Sequence, residues 1–230
     1  MKRYSNQLKV APFDPIKQTK LLNSTVLVIG AGGLGCPVLQ QLALLGVGKI
    51  ILLDADHIEE SNLNRQSLFG LNDIGKSKAQ VAKRQVEALN EDCSVEAHCE
   101  FLTSKNAEKF CLSANVIVDC TDNLATRYTL DRQSQRLGIP LVFGGVRKWE
   151  GQVGVFNYLR GKSFEDIFPK EAHLESLEDC ELLGTFGFVC QMVASYQCAE
   201  VLKILSGIGT VLSGQILTID LMNNRSLLRK

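Results

Sequence analysis

The residues best suited to chemistry begin with a glycine-rich segment, GAGGLG, between two apolar, β-branched runs. Gly30, Gly32 and Gly35 fit the pattern G-x-G-x-x-G, and Gly33 adds a fourth glycine. In such a pattern the first glycine permits a tight turn, the second lets a phosphate approach the backbone, and the third allows a helix to pack closely on a strand. Asp54 closes the next apolar run, where a carboxylate can bind ribose hydroxyls. The pattern predicts a nucleotide site and leaves ATP and NAD both open.

Charged and amide side chains that follow the predicted strands favour ATP over NAD. Ligands of open sheets bind outside the carboxyl ends of the strands, so we expect these side chains to converge. Displacement at a phosphate needs cations for the charge that develops on the oxygens and a carboxylate for Mg²⁺, whereas hydride transfer needs a dry nicotinamide slot and a proton donor. The set comprises Asp56, Asn62, Asn64, Arg65, Gln66, Lys76, Lys78, Asp119, Asp122 and Asn123.

The elements that must position these residues alternate between strand and helix, which predicts an α/β fold with a doubly wound, Rossmann-like, mostly parallel sheet. Short apolar runs are typical of buried parallel strands, and the segments after residue 145 alternate as antiparallel strands do. Predicted parallel strands are 25–30, 49–54, 115–120 and 140–144; predicted antiparallel segments are 151–158 and 213–229; predicted helices are 34–46, 76–90, 123–137 and 186–206.

The chain reads as a single domain over 1–230, with no internal repeat and no interdomain linker. We expect a helical N-terminal arm over 1–24, a nucleotide-binding half over 25–145 and an antiparallel extension over 146–230. The extension contains a polar crossover loop, 160–183, which is longer than a simple connection and is therefore predicted to be functional or mobile.

The composition excludes several classes of protein. Lysine plus arginine equals aspartate plus glutamate at 25 each, which argues against a dedicated nucleic-acid binder. The apolar runs are too short to cross a bilayer, and the N-terminus lacks the apolar core of a signal peptide. We therefore expect a cytoplasmic protein with no nucleic acid or membrane partner. Most of the eight cysteines are expected to be small buried hydrophobes.

The motifs RYSNQ, GAGGLG, LLDAD, SNLNRQ, GKSKA and DCTDN occur in this order, and with them the chain resembles the ThiF/MoeB/HesA family over nearly its whole length. These proteins are bacterial relatives of the ubiquitin-activating enzymes. The resemblance implies an adenylyltransferase that uses ATP and Mg²⁺ to activate the C-terminal Gly-Gly carboxylate of a small ubiquitin-like sulfur-carrier protein, with release of pyrophosphate. The carrier would serve thiamine thiazole or molybdopterin synthesis. A homodimer is also implied.

The resemblance further implies roles for individual residues. Gly33 would lie against the phosphates, and Asp54 would hold the ribose. Asn62 and Arg65, with Lys78, would grip the triphosphate, and the two cations would favour the departure of pyrophosphate.

Two further roles follow from the same resemblance. Asp122 would be the Mg²⁺ ligand. Cys180, in the crossover loop, would take the activated acyl group or join a persulfide relay. Its acidic neighbours disfavour the thiolate, whereas the nearby helix start favours it.

The chain departs from the family pattern near its N-terminus and in its cysteines. The family motif is Arg-Tyr-x-Arg-Gln, whose second arginine commonly reaches the partner subunit's ATP site. Here Asn6 stands at that position while Arg3, Tyr4 and Gln7 are retained, so either Arg3 substitutes or the enzyme is slow. The family's paired Cys-x-x-Cys motifs are missing, which predicts no structural zinc. No rhodanese-like extension follows, which predicts a separate sulfur donor.

Three alternatives stay open at this point. The same fold could adenylylate another carboxyl substrate or a tRNA nucleoside. A non-catalytic nucleotide-binding relative would keep the fold without the activity. An NAD(P)-dependent oxidoreductase is the least favoured alternative, because it has little use for a guanidinium, an ammonium and an extra carboxylate around the phosphates.

Overall fold

The computed structural model describes residues 1–170 and 184–229, which form one eight-stranded sheet in the order β3-β2-β1-β4-β5-β6-β7-β8. The strands are β1 (Thr25–Ile29), β2 (Lys49–Leu53), β3 (Ser94–His98), β4 (Val116–Asp119), β5 (Leu141–Arg147), β6 (Glu150–Phe156), β7 (Ile216–Asp220) and β8 (Arg225–Arg229). The helices are α1 (Pro15–Leu22), α2 (Gly35–Leu45), α3 (Lys78–Leu89), α4 (Ala107–Cys111), α5 (Leu124–Leu137), α6 (Phe164–Ile167) and α7 (Gly187–Ser206). Cys180 and most of the predicted crossover loop lie outside the described residues.

The predicted fold class is confirmed. Strands β1 to β5 pair in parallel, and β6 to β8 continue the sheet in antiparallel register. The sequence pattern missed β3, because this edge strand is half exposed and its sequence SVEAH carries little apolar signal. The four predicted helices occur within two residues of their expected bounds.

The sheet is covered on both faces by separate apolar clusters, as a doubly wound fold requires. One cluster joins the sheet to α2, α3 and α7 and consists largely of Val, Leu and Ala side chains. The other joins it to α4, α5 and α6 and contains a group of mutually tilted aromatic rings. Each fully buried aliphatic side chain stabilises the fold by about 1.5–3 kcal/mol, so the sheet is a rigid base for the loops at its edges.

The N-terminal arm packs at the end of α3 that is remote from the helix start. Tyr4 is buried and accepts a hydrogen bond from Asn90 Nδ2 at 2.9 Å, and Arg3 Nη1 donates to the Leu89 carbonyl at 3.0 Å. The 12 residues of α3 separate this contact from Lys78 at the start of the helix. A helix of that length spans about 18 Å, so Arg3 does not approach the glycine loop of its own chain. No described helix is long and apolar enough to cross a membrane.

The turn between β1 and α2 brings helix and strand into direct backbone contact. Gly30 has φ +95°, in the left-handed region, and its N–H donates to the Leu53 carbonyl at 2.8 Å. A Cβ placed on Gly35 would lie 1.9 Å from the carbonyl oxygen of Gly30. Only glycine at this position allows α2 to begin so close to the strand.

We expect Gly35→Ala to lower the free energy of unfolding by about 1–3 kcal/mol, because the backbone carbonyl of Gly30 must move to admit the methyl group. Urea denaturation of the purified protein measures this loss. Gly70→Ala is the matched control, because a Cβ there would meet no atom within 4 Å. We expect it to change the free energy of unfolding by less than about 0.5 kcal/mol. Equal stability of the two variants would contradict the account of this turn.

Candidate active site

The glycine loop lies against the SNLNRQ segment. A Cβ on Gly33 would lie 3.5 Å from Cγ of Arg65, and a Cβ on Gly32 would lie 3.8 Å from Nε2 of Gln66. At the start of α2 the Cys36 N–H donates to the Gly32 carbonyl at 3.0 Å and Pro37 has no N–H, so the donors left for a ligand are N–H groups of the loop just before the helix, together with the positive end of the helix dipole. The loop therefore combines a bare backbone surface with a nearby guanidinium, which suits an anionic ligand.

Asp54 ties this loop to the end of β2. Its Oδ2 accepts the Ala31 N–H at 2.7 Å, and its Oδ1 accepts the Asp56 N–H at 2.8 Å. Burial raises the pKa of the Asp54 carboxyl above its usual value, and these two amides and Lys78 oppose the shift. Each carboxylate oxygen can accept a further hydrogen bond. The position is therefore compatible with the predicted contact to ribose hydroxyls.

Lys78 starts α3 with its ammonium held at the same edge of the sheet. The residue is only 7% exposed, and Nζ donates to Asp56 Oδ2 at 3.0 Å. The Lys78 N–H also donates to the Asp56 carbonyl at 2.9 Å. Asp56 was predicted among the nucleotide-binding residues; in this structure its carboxylate holds the lysine.

In the SNLNRQ segment, one side chain is used up in local hydrogen bonds, whereas another keeps a charge that a ligand could use. The Asn62 amide is used within its own turn, where Oδ1 accepts the Glu59 N–H at 3.2 Å and Nδ2 donates to Ser61 Oγ at 3.3 Å. Arg65 Nη1 donates to the Ser61 carbonyl at 2.9 Å and to Asn64 Oδ1 at 3.0 Å. Both acceptors are neutral, and no carboxylate of the described residues forms an ion pair with Arg65. Its positive charge stays available to an anion.

Gln66 carries an unpaired polar atom beside the glycine loop. The residue is 4% exposed, and its Oε1 has no hydrogen-bond partner among the described residues. An unpaired buried acceptor costs about 1–3 kcal/mol. The side chain reaches the loop through the other atom of its amide, Nε2, which would lie 3.8 Å from a Cβ on Gly32 and can donate to an anionic ligand there.

The turn after β4 presents a carboxylate at the neighbouring strand end. Asp119 ends the strand, and the exposed Asp122 follows three residues later. Asn123 is the N-cap of α5, where its Oδ1 accepts the Thr126 N–H at 3.0 Å; that it also binds the nucleotide stays a prediction. No ion pair involves Asp122 in the described part of the chain, so its carboxylate can take a cation.

Sheet order brings the three groups of predicted residues to one edge. The order β2-β1-β4 places the ends of the strands that carry Asp54, the glycine loop and Asp122 side by side. A Cβ on Gly30 would lie 3.0 Å from the Cys120 carbonyl oxygen, so the loop after β1 touches the turn after β4.

The sequence pattern missed several residues that support this edge. Cys190 is buried, and its Sγ would lie 3.0 Å from a Cβ on Gly33; burial raises the pKa of the Cys190 thiol. Gln197 of α7 donates from Nε2 to the Asp119 carbonyl at 2.8 Å. Residues from α7 lie far along the chain from their partners, and no local spacing signals such contacts.

The described cysteines are all free thiols, and six of the seven are buried, as expected. Cys99 is the exposed one. No group of three or more His, Cys, Asp or Glu side chains is placed to hold a metal ion within 1–170 and 184–229. The expected absence of zinc stays a prediction that metal analysis of the purified protein tests.

Comparisons with known proteins point to the same family that the sequence motifs resemble. The model of the ThiF family matches residues 4–230. The sulfur carrier protein adenylyltransferase of Thermus thermophilus is 40% identical over 223 residues, which cover 95% of this chain and 82% of that protein. Adenylyltransferase and sulfurtransferase MOCS3 of Drosophila ananassae is 39% identical over 95% of this chain and 48% of its own length, so the chain spans about half of MOCS3. The crystal structure of E. coli MccB with ATP superposes with a TM-score of 0.88 at 26% identity, over 99% of this chain and 70% of that one.

We expect Gln66→Leu to separate stability from binding. Removing the unpaired amide should leave the free energy of unfolding of the ligand-free protein unchanged or raise it by about 1 kcal/mol. The same change should weaken ATP binding, because the amide donor beside Gly32 is lost. Urea denaturation and calorimetric titration with MgATP measure the two quantities. Gln135→Leu, at an exposed position of α5, is the control. A destabilised Gln66→Leu protein with unchanged ATP affinity would refute this role.

Proposed function

The chain belongs to the ThiF family, and from that membership we propose that it is an ATP-dependent adenylyltransferase acting on a small ubiquitin-like sulfur-carrier protein that ends in Gly-Gly. The carrier would serve thiamine thiazole or molybdopterin synthesis. The observation that carries the proposal is the single sheet edge at which the glycine loop, Arg65, Lys78 and Asp122 follow adjacent strands.

Binding of the nucleotide would use the groups that the fold leaves available. The N–H groups after Gly32 and the dipole of α2 would meet the phosphates. Asp54 would accept the ribose hydroxyls. Arg65 and Lys78 would hold the triphosphate, and Lys78 would exchange its partner Asp56 for phosphate oxygens. The neutral acceptors of Arg65 and the Gln66 amide donor beside Gly32 support this fit.

The reaction is an attack of the carrier's C-terminal carboxylate on the α-phosphorus of ATP. A bond forms between a carboxylate oxygen and phosphorus, and the bond from that phosphorus to the bridging oxygen of pyrophosphate breaks, so pyrophosphate leaves with the electron pair. A carboxylate is already ionised at neutral pH, so no general base is required. Catalysis then rests on positioning and on stabilising the charge of the departing pyrophosphate, which is the role we assign to Arg65 and Lys78.

Asp122 would hold the Mg²⁺ that accompanies ATP. Its exposed carboxylate is a hard oxygen ligand of the kind that Mg²⁺ prefers, and the ion would neutralise charge on the phosphate oxygens. Protein sites for Mg²⁺ commonly supply one or two carboxylates and leave the remaining positions to water and phosphate, so a lone aspartate fits the ion.

The likeness to MccB favours a second candidate, adenylylation of a different carboxyl-bearing substrate. MccB structures include a complex with MccA, and this chain matches one of them with a TM-score of 0.88. The sulfur-carrier function remains the first choice, because identity to the Thermus thermophilus adenylyltransferase is 40% over a larger share of that relative.

We expect Arg65→Ala and Asp122→Ala each to abolish exchange of labelled pyrophosphate into ATP, since one change removes the cation beside the glycine loop and the other the metal ligand. The exchange should require a carrier that ends in Gly-Gly, and a different carboxyl substrate would stimulate it only under the second candidate function. Arg132→Ala, at an exposed position of α5, serves as the control. Near-normal exchange in both site variants would remove this assignment.

We also propose that Cys180 takes the activated acyl group after adenylylation: its thiolate attacks the carbonyl carbon of the acyl-adenylate, a thioester bond forms, and the bond from that carbon to the phosphate oxygen breaks so that AMP leaves. A separate protein would then donate the sulfur. Cys180→Ala should leave pyrophosphate exchange intact while a thiol-sensitive enzyme–carrier adduct disappears from non-reducing gels and intact-mass spectra. Cys99→Ala, which removes the exposed thiol beside α3, is the control and should retain the adduct. An adduct that survives Cys180→Ala would contradict the role.

The assembly that the family resemblance implies is a homodimer. Sedimentation velocity should then give twice the chain mass of 25.3 kDa.

A further inference from the structure

A buried charge pair lies directly beneath the turn that carries Asp122. Asp119 is 1% exposed, and its Oδ2 lies 3.3 Å from Nε of Arg127 in α5. Neither atom of this contact forms an aligned hydrogen bond within the described residues. Burial raises the pKa of the Asp119 carboxyl above its usual value, and the guanidinium of Arg127 opposes that shift.

Arg127 also donates hydrogen bonds to backbone carbonyls of two segments, the turn after β4 and strand β5. Its Nη2 donates to the Thr121 carbonyl at 2.5 Å and, more weakly, to the Gly144 carbonyl at 3.4 Å. The guanidinium also lies 5.0 Å from the centroid of the Phe143 ring. Arg127 therefore joins the turn after β4 to the middle of β5.

The turn is held from two further directions. Asp119 Oδ1 accepts both the N–H of Thr121 at 2.9 Å and its Oγ1 at 2.7 Å. Gln197 of α7, which is fully buried, donates to the Asp119 carbonyl. Three elements, α5, α7 and β5, thus determine where the backbone of Thr121 lies.

Stability alone explains this arrangement poorly. Desolvation of the buried Asp119 and of Arg127, whose side chain is 17% exposed, offsets part of their attraction, and replacement of a buried ion pair by apolar residues is often neutral or stabilising. The pair instead does something that an apolar pair cannot do, which is to bind the carbonyl and the N–H of Thr121 at the same time. Asp122 is the next residue and makes no ion pair of its own in the described chain, so its backbone sets where its carboxylate lies.

We propose that Arg127, together with Asp119, is a positioning residue that fixes the turn after β4 so that the Asp122 carboxylate meets the Mg²⁺ of MgATP. This inference rests on the proposed function. It assigns to Arg127 no contact with substrate, because the guanidinium is already engaged by the Thr121 carbonyl and the Asp119 carboxylate.

Calorimetric titration with MgATP and with ATP in excess EDTA tests this role, since the ratio of the two affinities isolates the metal contribution. We expect Asp119→Leu/Arg127→Met, which removes both buried charges, to melt near the wild-type temperature. Its metal-dependent gain in affinity should nevertheless fall about 10-fold or more, the usual effect of losing a residue that orients a metal ligand. Its affinity for metal-free ATP should stay unchanged.

A double-mutant cycle separates positioning from direct contact. If Arg127 acts only through Asp122, adding Arg127→Met to Asp122→Asn should cause no further loss of MgATP affinity. Additive losses would overturn the positioning role and indicate that Arg127 touches the ligand. Arg136→Met, at an exposed position on the same helix, is the matched control.

A single, smaller substitution tests the same role in case the double variant fails to fold. Thr121→Val removes only the hydroxyl that donates to Asp119 and should reduce the metal-dependent gain by a smaller factor. If the wild-type protein binds ATP in a metal-dependent way and all these variants retain that dependence, this inference is overturned and the proposed function is not. Wild-type protein that binds no MgATP would overturn the proposed function and this inference with it.

Discussion

The site depends on the hydrogen bond from the Ala31 amide to the Asp54 carboxylate. This bond joins the glycine loop to the end of β2, while the close approach of Gly35 to the Gly30 carbonyl seats α2 on β1. Together they place the positive end of α2 and the carboxylate that we propose binds the ribose at one point on the sheet edge. The roles proposed for the cations and for the metal ligand depend on this arrangement of the glycine loop, α2 and Asp54.

Around that arrangement, the polar side chains divide into those used by the fold and those left for a ligand. Asn62 and Asn123 complete local turns and Asp56 holds an ammonium, so each has a structural partner. Among residues 1–170 and 184–229, Arg65 donates to neutral acceptors, and the buried Gln66 Oε1 has no hydrogen-bond partner. A triphosphate nucleotide would supply the anion that Arg65 lacks, whereas hydride transfer with a nicotinamide would leave the guanidinium and the exposed Asp122 without a role.

Much of this arrangement could be predicted from sequence, because its signals are local. The apolar runs predicted β1, β2, β4 and β5, and the glycine spacing predicted the turn before α2. Asp54 and Lys78 were expected at the ligand edge because parallel strands end there together. The distinction between Asn123 as a helix cap and Asp122 as a free carboxylate was not predictable, since both residue types cap helices well.

The supporting contacts were missed because they depend on tertiary structure. Asp119 meets Gln197 across 78 residues of chain, and only the packing of α7 on the sheet brings them together. The same holds for Cys190 beneath Gly33. Strand β3 was overlooked for a different reason, namely that an edge strand exposes much of its surface and loses the apolar run of a buried one.

The most direct test of the central claim is a crystal structure with Mg²⁺ and a non-hydrolysable ATP analogue. The account predicts the phosphates over Gly32 and Gly33, the ribose on Asp54, Arg65 and Lys78 on the triphosphate and Asp122 on the metal. Arg65 still bonded to Ser61 and Lys78 still paired with Asp56, with the nucleotide bound elsewhere, would contradict it.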